Sequence, residues 1–284
     1  MTHTDVRTRR PVPFEVLIHL RRIEGATLAG EVGLALAARL GARAIGLHVV
    51  PVAPVAFASP EAVALYVNEA DDLYRTASKH APHWRAQLAA HAVDGEWLVS
   101  QGDVVEALCH ASRWCDFIVV ERPQLNPDAP TGWGVVSRTV FGAAAPVVVV
   151  PETAKPGVVG AHVVVAWNHS REAALAIRGA LPLLARADRV SVLDGGPREN
   201  PFGRRYLPKL DLGAWLERRG IAATFRAFEA KKERGAELLE TVHAAGGDLI
   251  VMGAWGHSRI SELVLGGTTR HLFQHSDLPL LVAH

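Results

Sequence analysis

The strongest constraint on the fold is that this chain repeats itself. Asp116-Phe-Ile-Val-Val120 is matched by Asp248-Leu-Ile-Val-Met252, Gly134 by Gly266, Ser137-Arg138 by Thr269-Arg270 and Phe141 by Phe273, all 132 positions apart. The closing apolar run repeats too, Pro146-Val-Val-Val-Val150 against Pro279-Leu-Leu-Val-Ala283. Near the two starts the spacing is 147, Val16-Leu-Ile-His19 against Val163-Val-Val-Ala166, so the first copy holds about fifteen more residues in its middle. Self-similarity at this length means two copies of one fold in tandem. A chain of 284 residues, 49% of them hydrophobic, is long enough to fill two cores.

Within each copy, apolar runs of strand length alternate with helical patterns. That alternation predicts an α/β class with two tandem doubly wound five-stranded parallel-sheet domains. In the first copy the strands are expected at Glu15–Leu20, Ala44–Val50, Glu96–Ser100, Phe117–Val120 and Val147–Val150, with helices at Ala26–Leu40, across Pro60–Ala92, at Val104–Trp114 and at Val135–Phe141. In the second the strands are His162–Trp167, Arg189–Leu193, Ala223–Phe228, Leu249–Met252 and Leu280–Ala283, and the helices Arg171–Arg186, Pro208–Arg219, Ala236–Ala245 and Thr268–Gln274. The expected organisation is a flexible lead over 1–13, domains over 14–151 and 161–284, and a polar, proline-bounded linker over 152–160.

Glycines mark the candidate site. The run Leu249–Met252 passes into Gly253 and Gly256, and nine residues later Gly266-Gly267-Thr268-Thr269 opens the last helix. Glycine lets backbone approach a ligand with no Cβ between, and a helix start offers unpaired N–H groups and partial positive charge, a combination that suits phosphate. The residues alone leave two readings, a tight turn or a ligand cradle. The spacing Gly-x2-Gly-x9-Gly resembles that of the universal stress protein family, whose ATP-binding members carry it after the fourth strand.

The resemblance implies an adenine nucleotide alpha hydrolase-like fold of strand order 3-2-1-4-5, with nucleotide at the carboxyl ends of the first and fourth strands. It carries ATP, with or without Mg2+, onto Ala166, Trp167, Asn168, Val192, Met252, Gly253, Gly256, Gly266, Gly267, Thr268 and Thr269. Gly267 stands where the family's ATP binders usually have Ser or Thr, and Asn168 where Asp is common. Val192 matches a position whose backbone meets the adenine edge; buried strand core is its other reading. Ser170 fits a helix N-cap, as does Asp103. His257 and Arg259 could approach an anion or face water, and Trp255 could cover the site or pack outward.

The first copy lacks most of this equipment. Glu121-Arg-Pro-Gln124 replaces the first glycine pair, and a carboxylate there repels phosphate. The first copy is therefore expected to be a structural or regulatory partner of the second. Members of the family pair through their last strands, so the resemblance implies a pseudo-dimer within one chain, able to form a further homodimer.

Thirty basic against 29 acidic side chains exclude an electrostatic footprint for nucleic acid or for a membrane surface. No apolar run has the roughly 18 residues a spanning helix needs, so the expected location is cytoplasmic. Cys109 and Cys115 read as small buried hydrophobes, and His271 with His275, one turn apart, as a surface pair lacking a third metal ligand. No nucleophile elbow, Walker lysine or zinc-binding motif occurs, which limits catalysis to slow ATP hydrolysis at most. The rival expectation is a nucleotide-free, dimerising interaction module of the same fold. A third, an adenylate-forming or flavin-binding enzyme, rests on fold analogy alone.

Overall fold

The computed structural model describes residues 14–52, 59–123, 134–155, 157–196, 208, 210–254 and 267–284. The lead over 1–13 lies outside them, as do Trp255, Gly256, His257, Arg259 and Gly266. The first half runs β1 (Glu15–His19), α1 (Leu28–Leu40), β2 (Arg43–Pro51), α2 (Pro60–Ser78), α3 (Ala81–Ala90), β3 (Gly95–Gly102), α4 (Val104–Ala111), β4 (Phe117–Arg122), α5 (Val135–Gly142) and β5 (Val147–Pro151). The second runs β6 (His162–Trp167), α6 (Arg171–Leu184), β7 (Arg189–Asp194), α7 (Leu212–Glu217), β8 (Thr224–Ala227), α8 (Arg234–Ala245), β9 (Leu249–Gly253), α9 (Gly267–His275) and β10 (Leu280–Ala283).

The strand order is β3-β2-β1-β4-β5-β10-β9-β6-β7-β8. Each half therefore has the expected order 3-2-1-4-5. The two five-stranded sheets join into one sheet of ten strands. β5 and β10 pair antiparallel, Leu280 against Val149 and Val282 against Val147, while every other pairing is parallel. Both are short and apolar with almost no surface exposed, so each hides the edge the other would leave open.

Helices cover both faces, as a parallel sheet requires. On one face, Val16, Ile18, Phe117, Val119, Val163, Val165 and Val251 form a core with α1, α3, α6 and Leu216 of α7. On the other, Leu17, Ile118, Val120, Val164, Ile250 and Val282 pack with α4, α5, α8 and α9. Each core runs through both halves.

The repeat shows most clearly in one staple. Asp116 Oδ2 accepts the N–H of Glu15 at 2.8 Å, tying the start of β4 to that of β1. Its counterpart Asp248 accepts three, from Gly160 (2.7 Å), Ala161 (3.0 Å) and His162 (2.9 Å). These fix the segment leading into β6, where Ala154 and Val159 are also buried.

The long helical stretch of the first half is two helices. It breaks at Lys79 and His80 because Pro82, in the first turn of α3, has no N–H to continue the ladder and its ring crowds the preceding turn. α7 is shorter than its pattern, starting at Leu212 where Asp211 Oδ1 accepts the Ala214 N–H at 2.7 Å. Asp103 and Ser170 are N-caps as expected, accepting from Glu106 (2.9 Å) and Ala173 (3.1 Å).

Candidate functional site at the carboxyl ends of β6 and β9

In the second half β6 lies between β7 and β9, and Ala166 pairs with Met252. From that point the chain leaves β6 towards α6 on one face and leaves β9 towards α9 on the other. In doubly wound folds it is where helices depart to opposite faces that a crevice lies beyond the strand ends. The turn after β6 is tightly built. Asn168 Oδ1 accepts the N–H of Ser170 at 3.2 Å, and His169 adopts φ of 59°, a left-handed conformation a β-carbon disfavours.

His169 Nε2 stands 2.9 Å from Asp194 Oδ1, at the end of β7, and Asp194 Oδ1 also accepts the Gly196 N–H at 2.9 Å. The Trp167 ring lies 5.0 Å from the imidazole, and the Trp167 carbonyl accepts the N–H of Gly195 at 2.8 Å. This His–Asp pair was not singled out from the sequence. It depends on the register of β6 and β7, which sets Trp167 against Asp194 and is not written in either strand alone.

The predicted site residues divide into three groups. Ala166, Trp167, Asn168, Met252 and Gly253 come together at the adjoining ends of β6 and β9. Gly267, Thr268 and Thr269 form the first turn of α9, with Gly267 exposed and Thr269 buried. Val192 is apart from both. It lies two residues inside β7, wholly buried and paired with Val165 on one side and Phe225 on the other, which is the strand-core reading.

The two described glycines have different physical reasons. A Cβ on Gly253 would stand 2.3 Å from the Ala173 nitrogen and 2.5 Å from the Glu172 carbonyl carbon. The bare side of Gly253 is thus filled by the first turn of α6, a packing reason for glycine at this position. The next amide is also engaged, Ala254 donating to the Ala283 carbonyl at 2.9 Å, while His284 Nδ1 stands 3.2 Å from the Ala254 carbonyl oxygen. A Cβ on Gly267 would meet nothing within 4 Å. Of the described glycines in the motif, it is Gly267 that leaves space beside the backbone.

The remaining candidates offer no reactive group. Burial pushes the Cys115 thiol up to about 12, and burial also raises that of Cys109, so both are protonated at neutral pH. His271 Nδ1 pairs with Glu233 Oε2 at 3.2 Å and its ring lies 4.6 Å from that of His275. Among the described residues no three His, Cys, Asp or Glu side chains are grouped to hold a metal, and no helix is long and apolar enough to cross a membrane.

The model of the Universal stress protein family matches residues 161–284. Among solved structures, a universal stress protein from Archaeoglobus fulgidus is similar over 95% of this chain and 95% of its own, at 16% identity and a TM-score of 0.69. A proposed universal stress protein from Pseudomonas aeruginosa covers 95% of this chain and 92% of its own at 14% identity, with a TM-score of 0.59. No curated protein matches the sequence. Residues 161–284 therefore match the universal stress protein family, and the whole chain shares the fold of these two solved structures.

Proposed function

We propose that the second half binds ATP or a related adenine nucleotide in the crevice between β6 and β9, and that the chain acts in the cytoplasm as a regulatory protein of the stress response. The observation that carries this is the adjacency of the Trp167–Ser170 turn and Met252–Gly253, inside the segment that matches the family. Trp167, half-buried at the end of β6, supplies apolar surface for a base, and the start of α9 supplies N–H groups for phosphate. The space beside Gly267 fits such a group. Mg2+, if it accompanies the phosphates, meets no cluster of three His, Cys, Asp or Glu side chains among the described residues. No residue is assigned as a base for hydrolysis.

A second reading is favoured by one observation. The corner at Gly253 and Ala254 is already packed and hydrogen-bonded within the protein, as in a nucleotide-free interaction module. Calorimetric titration with ATP and magnesium separates the two. Gly267→Glu tests the site itself: the added side chain has room, so the chain folds, while its carboxylate repels phosphate and weakens ATP at least about tenfold. A Gly267→Glu chain that binds ATP like the parent removes α9 from the site, and a parent that binds none favours the module.

A further inference from the structure

We propose that the first half carries a ligand site of its own at the ends of β1 and β4, built for a small anion that also bears a hydroxyl group, of the sugar phosphate or hydroxycarboxylate class. It lies at the place in the first half that corresponds to the crevice of the second. β1 and β4 are paired neighbours, Arg21 and Arg22 follow β1, and Glu121 is next to last in β4.

Glu121 is 4% exposed, and its Oε1 receives no hydrogen bond. Arg21 Nη1 and Arg22 Nη2 each stand 3.8 Å from that same oxygen. Such distances give Coulombic attraction but are too long for hydrogen bonds, so the charge is balanced and the lone pair is not. A buried carboxylate oxygen without a donor is a costly arrangement that calls for a partner. The partner must bring a hydrogen to donate.

Charge sets the second requirement. Two guanidiniums against one carboxylate leave one positive charge in excess. His19, also buried here, adds none at neutral pH, because burial together with His48 and Arg21 lowers it to about 4. Glu24 in the same loop is exposed, and among the described residues it makes no ion pair with either arginine. Arg21 and Arg22 are partly and largely exposed, so their outer N–H groups can bridge the oxygens of a phosphate or carboxylate. A bare polyphosphate laid against Glu121 is repelled; an anion with a neighbouring hydroxyl meets both demands.

The backbone here also differs from that of the second half. Seven positions separate Leu20 from the N-cap Thr27 of α1, whereas three separate Trp167 from Ser170. The longer loop starts α1 further from β4, and a full side chain occupies the position where the second half has room only for Gly253.

The test is calorimetry on the full chain with three probes, ribose 5-phosphate, lactate and inorganic phosphate, repeated in a Gly267→Glu background so that the second half does not contribute. Saturable binding of ribose 5-phosphate or of lactate is expected, and which of them binds identifies the anionic group. Glu121→Gln, which keeps size and an acceptor oxygen but loses the charge, should weaken that probe about tenfold, while inorganic phosphate, relieved of the carboxylate's repulsion, binds at least as well as to the parent. Arg22→Ala, a change at an exposed side chain, should weaken all of them. The proposal is overturned if neither hydroxylated probe binds at about 10 mM, which leaves a water on Glu121, or if Glu121→Gln binds them like the parent. None of these results bears on ATP in the second half.

Discussion

The two halves solve one corner of one fold in opposite ways. At the end of the fourth strand the second half has Gly253, pressed under the first turn of α6, and the first has Glu121, buried beside Arg21 and Arg22 under a longer loop. The strands beneath superimpose in register, Ile18 opposite Val119 and Val165 opposite Val251. A duplicated scaffold thus kept its sheet and its core while the loops at the strand ends diverged. Chemistry resides in those loops, as it does in doubly wound folds generally.

Exchanging the two corners gives the largest expected effect. Gly253→Glu drives a Cβ into the Ala173 nitrogen and should cost about 4 kcal/mol or more, or unfold the second half. Glu121→Gly removes a poorly satisfied buried charge and should change stability by no more than about 2 kcal/mol. Urea denaturation of both variants checks the asymmetry; equal losses would mean that the corners are not built differently.

Next in size is a dependence on pH that only the first half should show. His19 is buried with its pKa lowered to about 4, whereas Ala166 occupies the matching place in the second half. The unfolded chain takes up a proton near pH 6.5 and the folded one only near 4. Stability is therefore complete above pH 6.5, falls as pH drops from there to about 4, and loses roughly 3 kcal/mol across that window. His19→Gln should flatten the decline in thermal midpoint between pH 7 and pH 5. An unchanged slope would assign the loss to other groups.

A smaller contrast concerns the aspartate staples. Asp248→Ala leaves three backbone N–H groups without their acceptor and should cost roughly 2–4 kcal/mol, against about 1 kcal/mol for Asp116→Ala, which loses one. Chemical denaturation with probes in each half would sharpen or erase the difference.

These contrasts also mark what the sequence could and could not show. The repeat, the strand positions and the caps Asp103 and Ser170 were legible because apolar periodicity and N-cap chemistry are local, whereas the strand order came from the family resemblance. The β5–β10 junction followed from the family likeness and from two apolar strands that needed covering. The packing of Gly253 was not legible. A glycine required by an overlying helix and one left bare for a ligand are the same letter, and only the distance to Ala173 tells them apart. Val192 likewise reads as strand end or strand core until its register with Val165 and Phe225 is known. The break at Pro82 was there to be read, while the burial of Glu121 and its pair of arginines depends on how far α1 stands back from β4.

Nucleotide stoichiometry tests the central claim most directly. Equilibrium dialysis of the intact chain with ATP and magnesium should give one adenine nucleotide per chain, lost in Gly267→Glu. Two nucleotides per chain, or none, would contradict the assignment of the adenylate to the second half.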